Sequence, residues 1–468
     1  MLTTDQLYSV YLQSRTVTTD SRAITPGCIF FAFKGEHFDG NAFAPKALEQ
    51  GAALCVISDP QYKVDDRCIV VPDVLSTLQA LARHHRSQLT IPVVGITGTN
   101  GKTTTKELVH AVLSKRYRTS ATKGNFNNHL GVPLTLLAIP ADTEIAIVEM
   151  GANHPGEIEQ LCNIADPDCG LITNVGRAHL EGFGSFEGVV RTKTELYRHL
   201  AGKHGLAFVN ADNERLMHEA EKLATIPGLR SVIPTYAPDN PAFVPSTIEK
   251  TPLSMLTYGR TNNADIRGTT IEANNDMPLQ DSPYLHFYFE VGDQVYNVRT
   301  HLLGDYNFDN CMAAVAVGLH FGVEPFDIKE AIENYRPTNQ RSEWKQTQRN
   351  NLYLDCYNAN PSSMAAAIAS FKCIIALKKM AIIGGMHELG TAERKEHEQI
   401  IEQLTNCELD QVMLVGPEWA SLPHPDNMLA FADTDAVAQH LQQHPVSNAT
   451  ILIKGSNTNR LWTLEQYL

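Results

Sequence analysis

The chain has 468 residues, 43% hydrophobic and 19% charged, a composition typical of a globular protein with large buried cores. Its 38 Lys and Arg residues against 52 Asp and Glu give a net charge of −14, which argues against sequence-independent binding of nucleic acid. The chain contains no long apolar stretch and no signal-like N-terminus, so we expect a cytoplasmic protein without membrane insertion. Nine cysteines without a C-x-x-C pair favour reduced, mostly buried thiols.

The first part of the chain mixes short apolar runs with turn signals. The runs cover residues 28–33, 53–57 and 69–71, and they are separated by pairs such as Pro26-Gly27. Val74, Leu78 and Leu81 then recur at helical spacing. This pattern predicts a small α/β domain over residues 1–89.

The middle of the chain alternates apolar runs with helical patterns. The runs at residues 93–96, 145–148, 171–173 and 206–209 predict a buried parallel sheet. Residues from about 231 to 299 break this rhythm and predict an antiparallel edge or insertion, which includes an alternating run at 285–289. A helix over 307–321 follows, and the proline at 337 ends a central domain of residues 90–337.

The last part of the chain repeats the alternation of strand and helix. Apolar runs at 352–354, 381–383, 412–415 and 451–453 predict a doubly wound, Rossmann-like domain over residues 338–468. The sequence therefore predicts an α/β protein of three domains.

The most specific motif is the glycine-rich segment 95–103, which follows an apolar strand and precedes a helix that we expect to begin near Thr104. Its glycines let backbone N–H groups face phosphates, and Lys102 adds a full positive charge. The hydroxyl of Thr103 stands where this loop type ligates Mg²⁺. The motif is a variant, because Ile96 replaces its usual first glycine. A plain turn with a solvated lysine is the alternative, but the context favours ATP with magnesium.

Several motifs in chain order carry a resemblance to one family. The loop 98–103 resembles that of Mur ligases and of folylpolyglutamate synthases. The motifs Asp20-Ser21-Arg22 and Phe33-Lys34-Gly35 resemble the uridine-nucleotide domain of Mur ligases, which the synthases lack. Segments 124–133 and 357–361 resemble the MurF type rather than the MurE type. These matches fall in all three predicted domains, so the resemblance covers nearly the whole chain.

This resemblance implies a ligase activity. A MurF-type enzyme uses ATP to add D-alanyl-D-alanine to UDP-N-acetylmuramoyl-tripeptide through an acyl phosphate, in peptidoglycan precursor synthesis. The resemblance also implies two Mg²⁺ sites and a CO₂-derived carbamate on a lysine. We expect a monomer, although no residue pattern indicates the oligomeric state. The alternatives are MurE-type addition of a single diamino acid and a P-loop protein that hydrolyses ATP only to switch shape.

The resemblance assigns roles to individual residues. From the sequence alone, His179 could equally be a capping or surface histidine. Lys193 alone would be interpreted as a solvated helix lysine. Helix capping would be the favoured interpretation of Asn174, Asn307 and Asn310. The implied catalytic residues are Lys102, Glu149, His179 and Lys193, with Thr103, Glu149, His179 and carbamylated Lys193 as metal ligands. The implied ATP contacts are Gly98, Thr99, Asn100, Gly101, Lys102, Thr103, Thr104, Asn174, Asn307, Asn310, Arg341 and Asp355. The implied contacts to the muramoyl substrate and the dipeptide are Ser21, Arg22, Lys34, Gly35, Asn127, Asn128, Tyr357, Asn358 and Asn360.

The sequence departs from the family pattern at two positions of the third domain. Gly385 stands where the family commonly has aspartate, and Asn457 stands where arginine is usual. Arg460 follows three residues after Asn457, which leaves open whether it substitutes for the missing arginine.

Overall fold

The computed structural model describes residues 3–36, 38–224, 253–271, 283–337 and 341–468. The first part of the chain forms a four-stranded parallel sheet of order β1-β2-β3-β4. Its elements are α1 (Thr4–Ser14), β1 (Val17–Thr18), β2 (Ile29–Phe31), α2 (Ala44–Glu49), β3 (Leu54–Ile57), β4 (Cys68–Val70) and α3 (Val74–Gln88). The sequence predicts β2, β3, β4 and α3, whereas β1 is too short to give a periodic signal.

The middle of the chain forms a nine-stranded sheet of order β13-β12-β11-β10-β9-β8-β5-β7-β6. The strands are β5 (Val93–Thr97), β6 (Thr119–Ala121), β7 (Ile145–Glu149), β8 (Cys169–Ile172), β9 (Leu206–Asn210), β10 (Ser254–Gly259), β11 (Ile266–Thr270), β12 (Tyr284–Val291) and β13 (Gln294–Leu303). The helices are α4 (Lys102–Leu113), α5 (Gly131–Leu137), α6 (Glu157–Ala165), α7 (Leu180–Phe183), α8 (Phe186–Lys193), α9 (Glu195–Gly202), α10 (Glu214–Glu221), α11 (Asn307–His320) and α12 (Pro325–Asn334).

Two expectations for the middle of the chain need correction. Strands β10 and β11 continue the parallel sheet, and antiparallel pairing begins only between β11 and β12 and continues in the β12–β13 hairpin. The predicted antiparallel stretch therefore begins too early in the chain. Residues 231–252 and 272–282 of that stretch lie outside the described residues. Helix α4 begins at Lys102 rather than near Thr104, because Gly101 adopts a φ of 77° and starts the helix directly after the loop.

The last part of the chain forms a six-stranded sheet of order β14-β15-β19-β16-β17-β18, parallel except for the edge strand β14. Apolar clusters cover both of its faces, as a doubly wound sheet requires. Its elements are β14 (Glu343–Gln346), β15 (Asn351–Asp355), α13 (Pro361–Lys372), β16 (Lys379–Gly384), α14 (Glu393–Thr405), β17 (Gln411–Val415), β18 (Met428–Phe431), α15 (Thr434–Gln443) and β19 (Thr450–Lys454).

One apolar core joins the first sheet to the central one. Tyr11 of α1 and Leu78 of α3 belong to the same buried cluster as Val132 of α5 and Leu161 of α6. The hydroxyl of Tyr11 also donates to the carbonyl of Leu137 across this boundary (2.8 Å). The first sheet is therefore packed firmly against the central one on the side of α5, close to the glycine-rich loop.

Two general expectations concern thiols and membranes. All nine cysteines are free, and all except Cys373 are buried, as their spacing indicates. Within the described ranges, no helix has both the length and the apolar character that crossing a bilayer requires.

Candidate active site

The candidate site is a cavity of about 730 Å³ at the carboxyl ends of the central parallel strands. The glycine-rich loop follows β5, Glu149 ends β7, and His179 comes in the segment after β8. Because carboxyl ends of parallel strands meet at one edge of a sheet, these groups converge although they are far apart in sequence. The cavity also includes Lys193, at the end of α8, and Arg341 from the last part of the chain.

The glycine-rich loop is held in place by close packing. A Cβ at Gly98 would lie 2.0 Å from the Thr173 hydroxyl, and one at Gly101 would lie 2.5 Å from the Asn310 amide oxygen. Asn174 braces the loop: its Oδ1 accepts from the backbone N–H of Asn100, and its Nδ2 donates to the Asn100 carbonyl, each over 3.0 Å. Asn174 therefore supports the loop and is not a helix cap.

The loop lysine lies over the loop itself. Nζ of Lys102 donates to the carbonyls of Gly98 (2.8 Å) and Thr99 (3.0 Å). Burial lowers the pKa of Lys102, while the nearby Glu149 carboxylate raises it. A phosphate in this cavity would add negative charge next to Nζ and so favour the protonated lysine.

Glu149 is the most buried acid of the cavity, with only 1% of its surface exposed. The Thr103 hydroxyl donates to its Oε2 (3.0 Å), and Nδ2 of Asn127 donates to its Oε1 (2.8 Å). Sequence reasoning missed the buried Lys106, whose Nζ lies 3.9 Å from Oε2 of Glu149. Its signal was a second lysine one helical turn after Lys102, on the same face of α4. This cation balances a carboxylate that would otherwise be costly to bury.

Lys193 is almost completely buried, with 2% of its surface exposed. Its Nζ donates to the carbonyl of Ala152 (3.2 Å) and lies 5.3 Å from the centre of the Phe183 ring. Burial, reinforced by the positive charge of Lys102, holds the pKa of Lys193 well below its usual value. The side chain is thus not the solvated lysine that its helical context alone suggested.

His179 also lies beside Phe183, in an edge-to-face arrangement with the two ring centroids 6.4 Å apart. It adopts a left-handed backbone conformation (φ 50°) at the start of α7, which is uncommon for a residue with a side chain. Burial lowers the pKa of His179, while a contact between its Nδ1 and the Glu388 carboxylate raises it. His179 is half-buried and lines the cavity.

A second cavity of about 270 Å³ adjoins the loop on the side of α11. Its lining includes Thr104 of α4, Asn307 and Asn310 of α11, and Asp355 at the end of β15. Nδ2 of Asn310 donates to Oδ1 of Asn307 (2.8 Å), so these amides form a fixed polar pair inside α11 rather than a helix cap. This cavity is a suitable place for a flat, polar base next to the phosphates.

Residues of the third sheet reach the loop directly. The guanidinium carbon of Arg341 lies 3.6 Å from the centre of the Tyr357 ring, and Nδ2 of Asn360 donates to Oδ1 of Asn100 (2.8 Å). The buried Lys454 pairs with Asp355 (3.0 Å). Together with Asn358, which lines both cavities, these contacts complete one wall of the site.

The residues expected to bind substrate fall into three groups. Asn127, Asn128, Tyr357 and Asn358 line the large cavity, and the Asn128 side chain also accepts from the N–H of Gly131 at the start of α5 (2.8 Å). Asn360 lines neither this cavity nor the one beside α11, because it is buried as the N-cap of α13. The structure does not bring Ser21, Arg22, Lys34 and Gly35 into the large cavity. They lie in the segments that follow β1 and β2. Ser21 comes directly after the residues 15–20 that line a third cavity of about 400 Å³ together with Lys123 and Phe126.

Gly385, which stands where the family commonly has aspartate, lies directly against the side chain of Glu418. A Cβ at Gly385 would lie 2.3 Å from Oε2 of Glu418, so the carboxylate of Glu418 occupies the space of the side chain that Gly385 lacks. Arg460 lines a separate cavity of about 610 Å³ with Glu418 and His387, away from the glycine-rich loop.

Gly385→Asp should lower the free energy of unfolding by about 1–3 kcal/mol, because Glu418 must move and two carboxylates would then share one space. Adding Glu418→Ala should recover most of this loss. Urea denaturation of the two single variants and the double variant measures the coupling. Strictly additive effects would show that the two positions are independent.

Comparison with known proteins identifies the family. Three domain models match: "Mur ligase family, catalytic domain" at residues 14–86, "Mur ligase middle domain" at 96–228 and "Mur ligase, glutamate ligase domain" at 340–457. The UDP-N-acetylmuramoyl-tripeptide–D-alanyl-D-alanine ligase of Bacillus subtilis (strain 168) is 33% identical, over 95% of this chain and 91% of the relative. The chain belongs to the Mur ligase family.

Solved structures place this Mur ligase near the MurF type. A MurF from Acinetobacter baumannii is 30% identical with a TM-score of 0.80, covering 96% of this Mur ligase and 92% of that chain. The MurF ligase of Thermotoga maritima in complex with ADP is 26% identical with a TM-score of 0.80, covering 97% of each. The predicted resemblance to MurF and the predicted three-domain α/β fold are both confirmed.

Proposed function

We propose that this Mur ligase adds D-alanyl-D-alanine to UDP-N-acetylmuramoyl-tripeptide at the expense of ATP, in the synthesis of a peptidoglycan precursor. The observation that carries the proposal is the convergence of the glycine-rich loop, Glu149 and Lys193 with Asn127 and Tyr357 in one cavity. The first group suits phosphate chemistry, and the second lies in the motifs that resemble MurF. The products are ADP, phosphate and UDP-N-acetylmuramoyl-pentapeptide.

The chemistry explains why ATP is needed. A carboxylate is a poor acyl donor, so the terminal carboxylate of the tripeptide first attacks the γ-phosphorus of ATP and displaces ADP. The amine of the dipeptide then attacks the acyl phosphate, releases phosphate and loses a proton as the amide forms. Lys102 lies where it can reduce the repulsion between the two anions of the first step. Arg341, held against Tyr357, adds a second positive charge to the same cavity.

The donor set of the cavity fits magnesium. Thr103 and Glu149 present adjacent oxygens, and Mg²⁺ is usually held by one or two carboxylates together with substrate phosphates. Among the described residues, no three His, Cys, Asp or Glu side chains form a ready metal site, so phosphate and carbamate oxygens must complete it. We assign Thr103, Glu149, His179 and carbamylated Lys193 as ligands of two ions. Bound there, magnesium would neutralise charge on the phosphates.

The environment of Lys193 supports a carbamate on its amine. A neutral amine can attack the carbon of CO₂, forming an N–C bond and releasing a proton, whereas an ammonium group cannot. Burial and the positive charge of Lys102 lower the pKa of Lys193, which favours the neutral amine. The modification converts a group that is repelled by Lys102 into an anion that attracts both Lys102 and metal ions.

The cavity beside α11 supports the assignment of the remaining nucleotide contacts, and the other assignments rest on the resemblance to the family. We assign the adenine to Asn174, Asn307 and Asn310, and the ribose and phosphates to Asp355 and Arg341. The uridine diphosphate lies on the first domain, at Ser21, Arg22, Lys34 and Gly35. Tyr357, Asn358 and Asn360 orient the dipeptide. We propose the same domain limits as the sequence predicts, at residues 1–89, 90–337 and 338–468.

Phosphate release should depend on ATP, on the tripeptide precursor and on D-alanyl-D-alanine together, because the dipeptide amine is the last nucleophile. Release is measured with each component omitted in turn, and the pentapeptide product is detected by mass spectrometry. When UDP-N-acetylmuramoyl-dipeptide and either diaminopimelate or lysine are supplied instead of the two proposed substrates, no product should form. This result separates the proposed activity from the MurE type. Unchanged release without the dipeptide would contradict the proposal and favour a nucleotide switch.

A further inference from the structure

The loop after β16 reaches across from the third sheet to His179. The Glu388 carboxylate is in hydrogen-bonding contact with Nδ1 of His179. The carbonyl of Glu388 accepts from the backbone N–H of Glu181 (3.4 Å). Glu388 itself has a left-handed backbone (φ 61°), a conformation rarely kept without a local reason. The segment that follows β8 is therefore bound to the third domain through His179 and Glu181.

The contact decides which ring nitrogen of His179 can bind a cation. A neutral imidazole has one N–H and one lone pair. When Nδ1 carries the proton and donates it to Glu388, the lone pair is on Nε2. A carboxylate behind a metal-binding histidine fixes its ring orientation and makes it a better ligand. His179 lines the same cavity as Thr103, Glu149 and Lys193, so a fixed ring has a defined set of neighbours.

We propose that Glu388 is a positioning residue of the metal site, which orients His179 from the third domain. This inference rests on the proposed function, since it requires that His179 binds a metal ion.

A simple docking contact is the competing explanation, and the chain offers a comparison for it. Arg177 pairs with the buried Glu396 of α14 (2.9 Å), and its backbone N–H donates to the hydroxyl of Ser362 (2.8 Å). This pair joins the same two domains without touching His179. If Glu388 served only to hold the domains together, loss of the Arg177 side chain would have the same consequences as loss of Glu388.

The test measures Mn²⁺ binding by electron paramagnetic resonance with saturating ADP, which needs no turnover. Glu388→Ala should weaken Mn²⁺ binding about 10–100-fold, the range expected for loss of a residue behind a metal ligand. Glu388→Gln should recover much of the affinity, because its amide oxygen still accepts from Nδ1. Glu398→Gln, a partly exposed acid on α14 that pairs with Arg394, should match the unsubstituted protein. Glu388 is itself half-exposed, so its variants should fold, and thermal unfolding verifies this.

Two results would overturn the inference: unchanged Mn²⁺ affinity in Glu388→Ala, or an equal loss of affinity in Arg177→Gln. The proposed function fails by a different measurement, namely the absence of dipeptide-dependent phosphate release in the unsubstituted protein. If the unsubstituted protein releases phosphate in a dipeptide-dependent way but Glu388→Ala binds Mn²⁺ with unchanged affinity, only the positioning role is refuted. With a positioning role, the Mg²⁺ concentration for half-maximal activity also rises in Glu388→Ala and stays unchanged in Arg177→Gln.

Discussion

Lys193→Ala should lower the rate of dipeptide-dependent phosphate release by about 10²–10³-fold, the size typical for loss of one preorganised electrostatic group. The side chain is buried beside Phe183, and its depressed pKa makes it a nucleophile for CO₂. Removal of the amine removes the site of the carbamate, and with it an anion of the proposed metal site. Steady-state kinetics at saturating ATP and substrates measures the loss.

The same variant separates a carbamate from an ordinary lysine. Alanine leaves a space behind Phe183, and a short carboxylic acid such as formate or acetate can place its carboxylate there. We expect these acids to restore part of the activity of Lys193→Ala in a concentration-dependent way. They should not increase the activity of the unsubstituted protein. Lys222→Ala, at a partly exposed lysine that pairs with Glu219, is the matched control and should keep full activity. Full activity of Lys193→Ala without any acid would exclude the carbamate.

Much of the fold could be predicted because its signals are local. Buried parallel strands such as β5, β7 and β9 are continuous apolar runs, and the loop between β5 and α4 has a specific glycine pattern. The strands that escaped prediction are short or lie at the sheet edges, as with β6 and β14, where few apolar residues are needed. Strands β10 and β11 escaped because they follow a stretch without a clear period.

The site could be predicted only where a motif named its residues. The sequence indicated Lys102 and Thr103 directly, since their spacing from the loop glycines has a physical reason. The spacing of Lys106 from Lys102 placed both on one face of α4, but it did not show the contact of Lys106 with Glu149. The contact of Glu388 with His179 had no sequence signal, because both contacts depend on tertiary packing. The burial of Lys193 also depends on tertiary packing, and its helical context alone suggested solvent exposure.

Lys102→Met should have an effect of similar or greater size, with activity reduced by about 10³-fold, because it removes the mobile charge of the phosphate loop. Methionine keeps most of the aliphatic length, so the cavity stays filled and α4 can still begin at this position. Because the charge is needed most as charge develops on the transferred phosphate, kcat should fall by more than the KM for ATP rises. Both values come from initial rates at varied ATP.

The matched control for Lys102 lies just beyond the other end of the same helix. Lys115 pairs with Glu330 (2.6 Å), roughly 20 Å from Lys102 along α4 at the usual rise of a helix. Lys115→Met removes an equal charge and should leave kcat and KM unchanged, which shows that the loss at Lys102 is local. If Lys102→Met only raised the KM for ATP, the lysine would bind nucleotide without acting on the transferred phosphate. The acyl-phosphate step would then need another cation, and Arg341 lines the same cavity.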